Sequence, residues 1–258
     1  MSHRFSLAVA LREETEPTTS DLEHKLQWPV RIEPAQKFKW FLGRCVERVE
    51  SLGLTLSVEH DFEEMQWLLE RTEGYDEFIN PAYDPRWSDL NRTRSFWIRV
   101  DDPEGRMVSC IAAKMFRYVS LYPHLANLSI WYDAVADLPM PNEKIEMIAD
   151  FPKRMGGTIS MTGRLWTHPR WRNRGLSSYL PLMARTMMLT KHDVDWHFGL
   201  VGKELVDKKV PLLRYGFPRN ERVMNVKPAG TDKHFELYMV YMSREELIAD
   251  VDAAVVAG

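Results

Sequence analysis

The 258-residue sequence has only two cysteines, and it contains no apolar run near the roughly 20 residues that are needed to cross a bilayer. The two cysteines, Cys45 and Cys110, indicate neither a disulfide framework nor a cysteine-based zinc site, and we expect no metal. Neither sign of charge is in large excess, because 34 Lys and Arg residues stand against 37 Asp and Glu residues. This balance argues against a protein that binds nucleic acid through a bulk basic field. We therefore expect a cytoplasmic protein without nucleic-acid or membrane partners.

The residue patterns predict a mixture of strands and helices around one sheet. Hydrophobic residues make up 45% of the sequence, which is enough for a sizeable core. The clearest local signal is a hairpin, in which the β-rich segments RSFWIRV and MVSCIAAKMF flank the turn DDPEG. Along the chain the patterns follow in the order strand, helix, antiparallel hairpin, strand, helix, strand, helix, strand. This order predicts an α/β protein with a mixed, largely antiparallel central sheet and flanking helices.

Two parts of the chain are predicted from the patterning. Residues 1–54 are expected to form an N-terminal arm and an amphipathic helix that packs on the core, and residues 55–258 are expected to form the main domain. Within the main domain, residues 75–91 are predicted as an aromatic-rich loop and residues 118–155 as an insertion. The segment KELVDKKVPLLRYGF is predicted as a helix that is interrupted at Pro211.

The segment that says most about chemistry runs from Leu165 to Ser177, with the sequence LWTHPRWRNRGLS. It is typical of a strand that ends at Pro169, followed by a basic turn and the immediate start of a helix. A helix N-terminus presents unpaired N–H groups and the positive end of the helix dipole, so this junction favours the binding of a phosphate group. The alternative is a capped helix start whose arginines are simply solvated.

Two segments resemble the GCN5-related N-acetyltransferase (GNAT) superfamily. The stretch RNRGLS at residues 172–177 is similar to the family's R/Q-x-x-G-x-G/A signature for acyl-coenzyme A, although Ser177 stands where the family usually has Gly or Ala. The strand VDWHFGLV and the later LLRYGF resemble the family's last core strand and the helix that closes with Gly-Phe. The resemblance covers roughly residues 55–244. It implies a GNAT-like fold and direct acyl transfer in a ternary complex, usually from acetyl-coenzyme A to an amine.

The resemblance also implies where an acyl-coenzyme A would bind. The pyrophosphate would lie on the backbone amides of residues 172–177, and the pantetheine arm would pair with the strand edge near Leu165, as in strand addition. A backbone N–H near Leu165 or Trp166 would hold the thioester oxygen. The expected cofactor-binding residues are Leu165, Trp166, Thr167, Arg172, Asn173, Arg174, Gly175, Leu176, Ser177 and Ser178.

The general base is harder to assign. In the family a carboxylate near the strand before the phosphate loop commonly takes this role, but the present sequence has no Asp or Glu between residues 156 and 169. The substitutes are His197 and Asp195 on the following strand, together with Asp84 or Asp89 in the aromatic loop. A histidine suits a base at neutral pH, although a structural role for His197 is the alternative.

The general acid that the family implies is a tyrosine several residues before Gly-Phe. The matching position holds Leu212, and Tyr215 is the nearest phenol in sequence. Tyr215 is therefore the predicted acid, with core packing as the alternative. The three predicted catalytic residues are His197, Tyr215 and Asp195.

A small-molecule amine is the expected acceptor, bound between the aromatic loop and the insertion. The predicted substrate-binding residues are Tyr83, Asp84, Trp87, Trp131 and Tyr132. Two alternatives stay open: a non-catalytic module that binds acyl-coenzyme A, and a nucleic-acid binder that uses Arg164, Arg170, Arg172 and Arg174 as a basic patch. A homodimer is also left open by the sequence.

Overall fold

The computed structural model describes residues 28–72, 75, 80–133, 144–227 and 234–257. The strands are β1 (Thr55–Glu59), β2 (Ser95–Asp101), β3 (Met107–Tyr118), β4 (Lys144–Met147), β5 (Gly157–Thr167), β6 (Trp196–Gly202), β7 (Arg219–Lys227) and β8 (Phe235–Ser243). The helices are α1 (Ala35–Glu50), α2 (Phe62–Glu70), α3 (Tyr122–Ala126), α4 (Leu176–His192), α5 (Lys203–Asp207), α6 (Val210–Leu213) and α7 (Arg244–Ala257). Single 3-10 turns lie at Pro81–Tyr83, Phe151–Arg154 and Pro169–Trp171.

In the described residues the strands form one eight-stranded sheet in the order β1-β2-β3-β5-β6-β8-β7-β4. Every neighbouring pair is antiparallel except β5 and β6, which run parallel. The predicted hairpin is present, because β2 and β3 pair in antiparallel register with Ile98 opposite Ile111. The prediction of a mixed, largely antiparallel sheet with flanking helices is confirmed.

Both faces of the sheet are covered, and alternation along the strands divides the core into two layers. In β2, Phe96 and Ile98 belong to the layer beneath α1, α4 and α7, whereas Trp97 between them belongs to the opposite layer. The opposite layer contains α2 and aromatic side chains such as Tyr83 and Trp131. The predicted amphipathic helix, α1, buries its apolar stripe in the first layer.

The sequence predicts capping boxes of Asp61 with Glu64 and of Ser243 with Glu246, because each pair is three residues apart before an apolar segment. The structure shows the N-cap bond of the first and both bonds of the second. The Asp61 side chain accepts a 2.9 Å hydrogen bond from the Glu64 amide at the start of α2. At the start of α7, the Ser243 amide donates to the Glu246 carboxylate at 2.8 Å, and the Glu246 amide donates to Ser243 Oγ at 3.4 Å. Gly74, which the sequence pattern predicts as the C-cap of α2, lies outside the described residues.

Three features of the chain differ from the sequence-based predictions. The edge strand β4 and its neighbour β7 were not predicted, because β7 is rich in charged and polar residues and its register shifts between Arg222 and Met224. The predicted helix from residue 203 to residue 217 is two short helices. Its break comes at Lys209, which has a left-handed φ of 55°, and Pro211 lies in the first turn of α6 rather than at the break.

The predicted insertion is only partly described, since residues 134–143 lie outside the described ranges. Its first part is fixed by Lys114, whose fully buried ammonium contacts Asp133 at 2.7 Å and Ser88 Oγ at 3.0 Å. Ser88 in turn donates to the Trp131 carbonyl at 3.2 Å. This buried network therefore fixes the segment that carries Trp131 against the sheet.

Three further expectations from the sequence concern membrane spans, the two cysteines and the N-terminal arm. No helix of the described residues is long and apolar enough to cross a membrane. Cys45 and Cys110 are both buried thiols, and burial raises the pKa of each to about 12. Of the predicted N-terminal arm, residues 1–27 lie outside the described ranges.

Candidate functional site

The candidate site lies where β5 separates from β6. These parallel strands pair only from Ile159 to Met161 on β5, although β5 continues to Thr167. On the other side of β5, Gly163 pairs with Ala112 and Trp166 with Cys110, so that two residues of β5 stand opposite Ile111. This is a β-bulge, and its first residue, Arg164, has a left-handed φ of 54°. Beyond Met161, the edge of β5 that faces β6 is therefore unpaired.

A cavity of about 370 Å³ lies at the end of β5, beside the loop that enters α4. We call it the loop cavity. Its lining includes Leu165, Trp166, Thr167, Arg172, Asn173, Leu176, Ser177, Leu205, Arg214 and Tyr215.

The loop leaves a set of backbone amides available. The amide of Ser178 is the first after the loop to donate within the protein, to the Gly175 carbonyl at 2.8 Å. Among the described residues, the amides of residues 173–177 have no acceptor. Asn173 and Gly175 have positive φ values of 64° and 89°, so the chain turns sharply here. Unpaired amides in such a turn, at the positive end of a helix, form an anion site.

Gly175 is required by both conformation and space. Its φ of 89° disfavours any L side chain, and a Cβ atom at this position would lie 2.6 Å from Cε2 of Tyr179. The Tyr179 hydroxyl is itself held by Arg48 Nε at 3.3 Å. The turn can therefore approach an anion closely only with glycine at residue 175.

A second cavity, of about 700 Å³, opens between the separated strands. We call it the apolar cavity. Its walls come from β5, β6, β8 and the segments before β2 and after α3, and they include Tyr75, Pro81, Ile111, Leu128, Trp131, Tyr132, Leu200, Phe217, Phe235 and Leu237. Among the described lining residues, Arg164 is the only one with a charged side chain. Nowhere in the described ranges do three His, Cys, Asp or Glu side chains gather as a metal site.

The two cavities adjoin, since Leu165, Trp166, Leu205 and Tyr215 line both of them. Burial raises the pKa of the Tyr215 phenol. The Tyr215 carbonyl accepts a hydrogen bond from Arg185, which is buried, pairs with Asp250 and lies over the Phe217 ring. Tyr215 is thus a protonated phenol at the junction, anchored through its backbone.

The Arg164 guanidinium is half-buried and is held by neutral groups. Its Nη1 donates to the Tyr75 hydroxyl, and its Nη2 donates to Gln66 Oε1 at 3.0 Å. Its Nε is buried without an acceptor among the described residues. Desolvation, offset only in part by the charge of Glu70, lowers the pKa of Arg164 to about 10. Arg164 therefore remains a cation at neutral pH, but a poorly solvated one.

The comparisons with known proteins give likenesses of shape. Neither the family models nor the curated proteins match this sequence. Among solved structures, a mutant spermidine N-acetyltransferase of Vibrio cholerae has 9% identity and a TM-score of 0.43, over 76% of this chain and 97% of that one. Arabidopsis thaliana NAA60 in complex with acetyl-CoA has 10% identity and a TM-score of 0.42, over 74% of this chain and 99% of that one. Likenesses at this level carry no argument about substrate or reaction.

The sheet of the chain itself decides the fold. It is mixed and largely antiparallel, its parallel pair separates beside the basic Gly-containing loop, and a helix begins directly after that loop. These are the features that the sequence resemblance implies. The fold is GNAT-like.

Most of the predicted cofactor-binding residues meet at one place in this GNAT-like fold. Leu165, Trp166, Thr167, Arg172, Asn173, Leu176 and Ser177 line the loop cavity. Gly175 and Ser178 form the helix start behind it, and the exposed Arg174 stacks on Trp171, with its Cζ 4.5 Å from the ring centroid.

The structure does not bring two of the three predicted catalytic residues to either cavity. His197 is fully buried, hydrogen-bonded to Ser160 Oγ at 2.7 Å and to Thr162 Oγ1 at 3.2 Å, and stacked on Phe217. Burial lowers its pKa well below the ordinary value. Asp195 precedes β6, at the end away from the separation, and accepts a hydrogen bond from the Thr158 amide at 2.8 Å. Of the three, only Tyr215 lines the cavities.

Of the predicted substrate-binding residues, Trp131 and Tyr132 line the apolar cavity. Tyr83 is fully buried beneath the sheet and donates to the Met161 carbonyl at 3.0 Å, and the buried Asp84 pairs with Arg86 at 2.6 Å. Trp87 packs edge-on against Tyr132 with ring centroids 5.7 Å apart, so it supports the wall without lining the cavity. Asp89 pairs with Arg94 and lines neither cavity.

Sequence reasoning missed the cavity residues contributed by other distant segments, among them Pro181, Leu205, Phe235 and Leu237. It considered Arg164 only as part of a basic patch for nucleic acid, in an alternative interpretation, whereas Arg164 lines the apolar cavity. One sequence signal could have placed Arg164 at the cavity. Arg164 directly follows Gly163 on the strand that the resemblance predicts to separate from its neighbour.

Proposed function

We propose that this protein is an acyl-coenzyme A-dependent N-acyltransferase that transfers an acyl group, in the first instance acetyl, to an amine of a small-molecule acceptor. The observation that carries the proposal is the separation of β5 from β6 after Met161, which joins an amide-lined loop cavity to an apolar cavity. An anion site that continues into an unpaired strand edge suits a ligand with a diphosphate at one end and an amide-rich arm behind it.

The residues at the loop cavity fit coenzyme A by two observations. Residues 173–177 offer amides without acceptors among the described residues, and Gly175 sits in a turn that a Cβ atom would block. The Arg172 and Arg174 guanidiniums add positive charge at the exposed rim. We infer that this loop binds the pyrophosphate and that the β5 edge from Gly163 to Thr167 pairs with the pantetheine amides.

The bulge in β5 is where the thioester carbonyl would be polarised. The residue after Arg164, Leu165, lines both cavities, and its amide lies on the strand segment that β6 no longer pairs. A backbone N–H directed at the thioester oxygen stabilises the negative charge of the transition state by about 3 to 4 kcal/mol. We infer that an amide of the bulge, from Leu165 or Trp166, takes this role.

The transfer then needs two proton movements. The amine nitrogen of the acceptor attacks the thioester carbonyl carbon, the new C–N bond forms, and the C–S bond breaks to release the coenzyme A thiolate. The Tyr215 phenol, at the junction of the cavities, donates a proton to that thiolate. The phenolate then recovers a proton from solvent, and the nitrogen releases its own.

A second candidate function has its own support. Among the described residues that line the apolar cavity, none has a carboxylate or an imidazole that could serve as a base for the amine. A module that binds acyl-coenzyme A without turnover needs the loop cavity but no base.

Location in the cytoplasm, a possible homodimer, and the lack of nucleic-acid and membrane partners stay predictions.

Calorimetry with coenzyme A, followed by thiol release from acetyl-coenzyme A in the presence of a panel of amines, tests the proposal. Micromolar binding together with amine-dependent thiol release is the result expected for the enzyme. Binding without thiol release for any amine would favour the module. No binding of coenzyme A would overturn both.

A further inference from the structure

Arg164 is a cation on the wall of the apolar cavity, where a bound anion would stabilise it. Arg164 lines a cavity whose other described residues are uncharged, and desolvation lowers its pKa to about 10. No carboxylate of the described residues lies within ion-pair distance of it. Glu70, which accepts from Gln66 Nε2 at 2.6 Å, is linked to the guanidinium only through the neutral Gln66 amide. A desolvated cation without an anionic partner is an unfavourable arrangement.

The backbone at this residue adds a second cost. Arg164 is at a φ of 54°, a conformation that favours glycine or asparagine, and an L side chain with a Cβ atom is disfavoured there by about 1 to 2 kcal/mol. A glycine would make the same bulge without that strain. Strain and desolvation at one residue, on the wall of a cavity, indicate that the side chain has a role in binding.

Hydrogen bonds to the described residues use only part of the Arg164 fork. Of its five N–H donors, one goes to the Tyr75 hydroxyl and one to Gln66 Oε1. Tyr75 itself lines the apolar cavity, which places the guanidinium at the cavity wall. A planar guanidinium with free donors recognises a carboxylate by charge-assisted hydrogen bonds.

We propose that the acceptor is an apolar amine that carries a carboxylate, and that Arg164 binds this carboxylate and so determines specificity. That the ligand is an amine acceptor rests on the proposed acyl transfer. That it carries a carboxylate rests on the surroundings of Arg164 and is independent of that function. The aromatic and aliphatic walls formed by Trp131, Leu200 and Phe217 bind the apolar body of the same molecule.

The apolar walls also constrain the amine. Once the carboxylate pairs with Arg164, a further cation in the apolar cavity is still disfavoured by desolvation, so the amine enters uncharged. An uncharged amine needs no base to become a nucleophile, and this agrees with the lack of a carboxylate or imidazole among the described lining residues. Amines of low basicity, such as aryl amines, are therefore favoured over polyamines.

Matched acceptor pairs test the inference. Acetyl transfer from acetyl-coenzyme A is measured for 4-aminobenzoate against aniline, and for 4-aminophenylacetate against 4-methylaniline. The carboxylate-bearing member of each pair is expected to have a kcat/KM about 10- to 100-fold higher, carried mainly by KM. Arg164→Gln should reduce this ratio to about one, and Arg164→Lys should keep part of it.

A matched control is Arg71→Gln, which removes an exposed guanidinium just after α2 that stacks on Trp67 and lines neither cavity. This variant should keep the wild-type ratio. Equal ratios in Arg164→Gln and wild type, or a preference of the wild type for the carboxylate-free members, would overturn the inference while leaving the acyltransferase intact.

A binding measurement separates this inference from the proposed function. Benzoate is expected to raise the melting temperature of the wild-type protein and to leave Arg164→Gln unchanged, whereas benzyl alcohol should act equally on both. If no amine is acetylated, this benzoate result still supports the carboxylate site, and only the proposed acyltransferase activity is contradicted. Equal stabilisation of wild type and Arg164→Gln by benzoate would sink the carboxylate site.

Discussion

The loop cavity and the apolar cavity share Leu165, Trp166, Leu205 and Tyr215, yet their walls are built in different ways. The loop cavity offers backbone amides from five successive residues at one helix start. The apolar cavity has walls from segments that are far apart in the chain, with a single guanidinium among its described side chains. A site built from local backbone tolerates changes in side chains but not in conformation. A site built from distant side chains depends on which side chains the fold brings together.

The largest expected effect is on the backbone site. Gly175→Glu places a Cβ atom 2.6 Å from the Tyr179 ring, in a backbone conformation that disfavours it, and adds a carboxylate where a diphosphate would bind. Binding of coenzyme A, measured by calorimetry, should weaken by at least about 100-fold. Gly53→Glu is the matched control, since Gly53 also has a positive φ but a Cβ atom added there would meet nothing within 4 Å. Wild-type affinity in Gly175→Glu would place the cofactor elsewhere.

The next effect concerns the junction of the two cavities. Tyr215→Phe removes the proton donor and should lower kcat by about 100-fold, with little change in coenzyme A affinity. Because burial raises the pKa of Tyr215, the phenol stays protonated through mildly alkaline pH, and the wild-type rate should not fall there. Tyr118→Phe removes a hydroxyl from a half-buried tyrosine that lines neither cavity and serves as the control. An unchanged kcat in Tyr215→Phe would assign Tyr215 to packing alone.

A smaller effect is expected at the rim of the loop cavity. Arg174 is exposed and stacks on Trp171, so its contribution to phosphate binding is screened by solvent. Arg174→Ala should raise the KM for acetyl-coenzyme A by about two- to fivefold, and the difference should shrink at high salt. A loss as large as that of Gly175→Glu would mean that side chains, rather than amides, dominate the loop cavity.

The smallest expected change is at His197, which the sequence suggested as a base. Burial lowers the pKa of His197 well below its ordinary value, so the imidazole stays neutral in the folded protein while an unfolded chain would take up a proton. His197 therefore contributes to a loss of stability as pH falls below about 6.5, the unfolded-state value. In the folded protein, the NMR resonance of its ring should not titrate between about pH 5.5 and 7.5. A titration with an ordinary pKa would make His197 accessible and restore it as a base.

Features that depend on neighbours along the chain were predictable. The β2–β3 hairpin, the Asp61 cap, the capping box at Ser243 and the loop before α4 each follow from a few consecutive residues. The break at Lys209 was missed, because a proline is a visible signal and a left-handed lysine is not. The strand β7 was missed because a segment rich in charged residues does not have the pattern of a strand, although it pairs with β8.

Candidate roles that depend on burial could not be predicted in the same way. His197 and Asp84 have the chemistry of a base in sequence, but the fold surrounds both with partners and withdraws them from the cavities. Leu212, which takes the family's tyrosine position, is 52% exposed, whereas Tyr215 three residues later reaches both cavities. Tyr215 follows the short helix α6, so its position depends on where that helix begins, and the break at Lys209 sets this.

The sequence by itself determined the strand, the glycine-containing loop and the helix start, because helix starts and tight turns are properties of contiguous residues. Only the tertiary structure decided that Arg164 lies inside a cavity and that Tyr215 stands at its junction with the loop. Those facts depend on residues from 75 to 240 packing around one separated strand pair, and long-range packing leaves no local pattern in the chain.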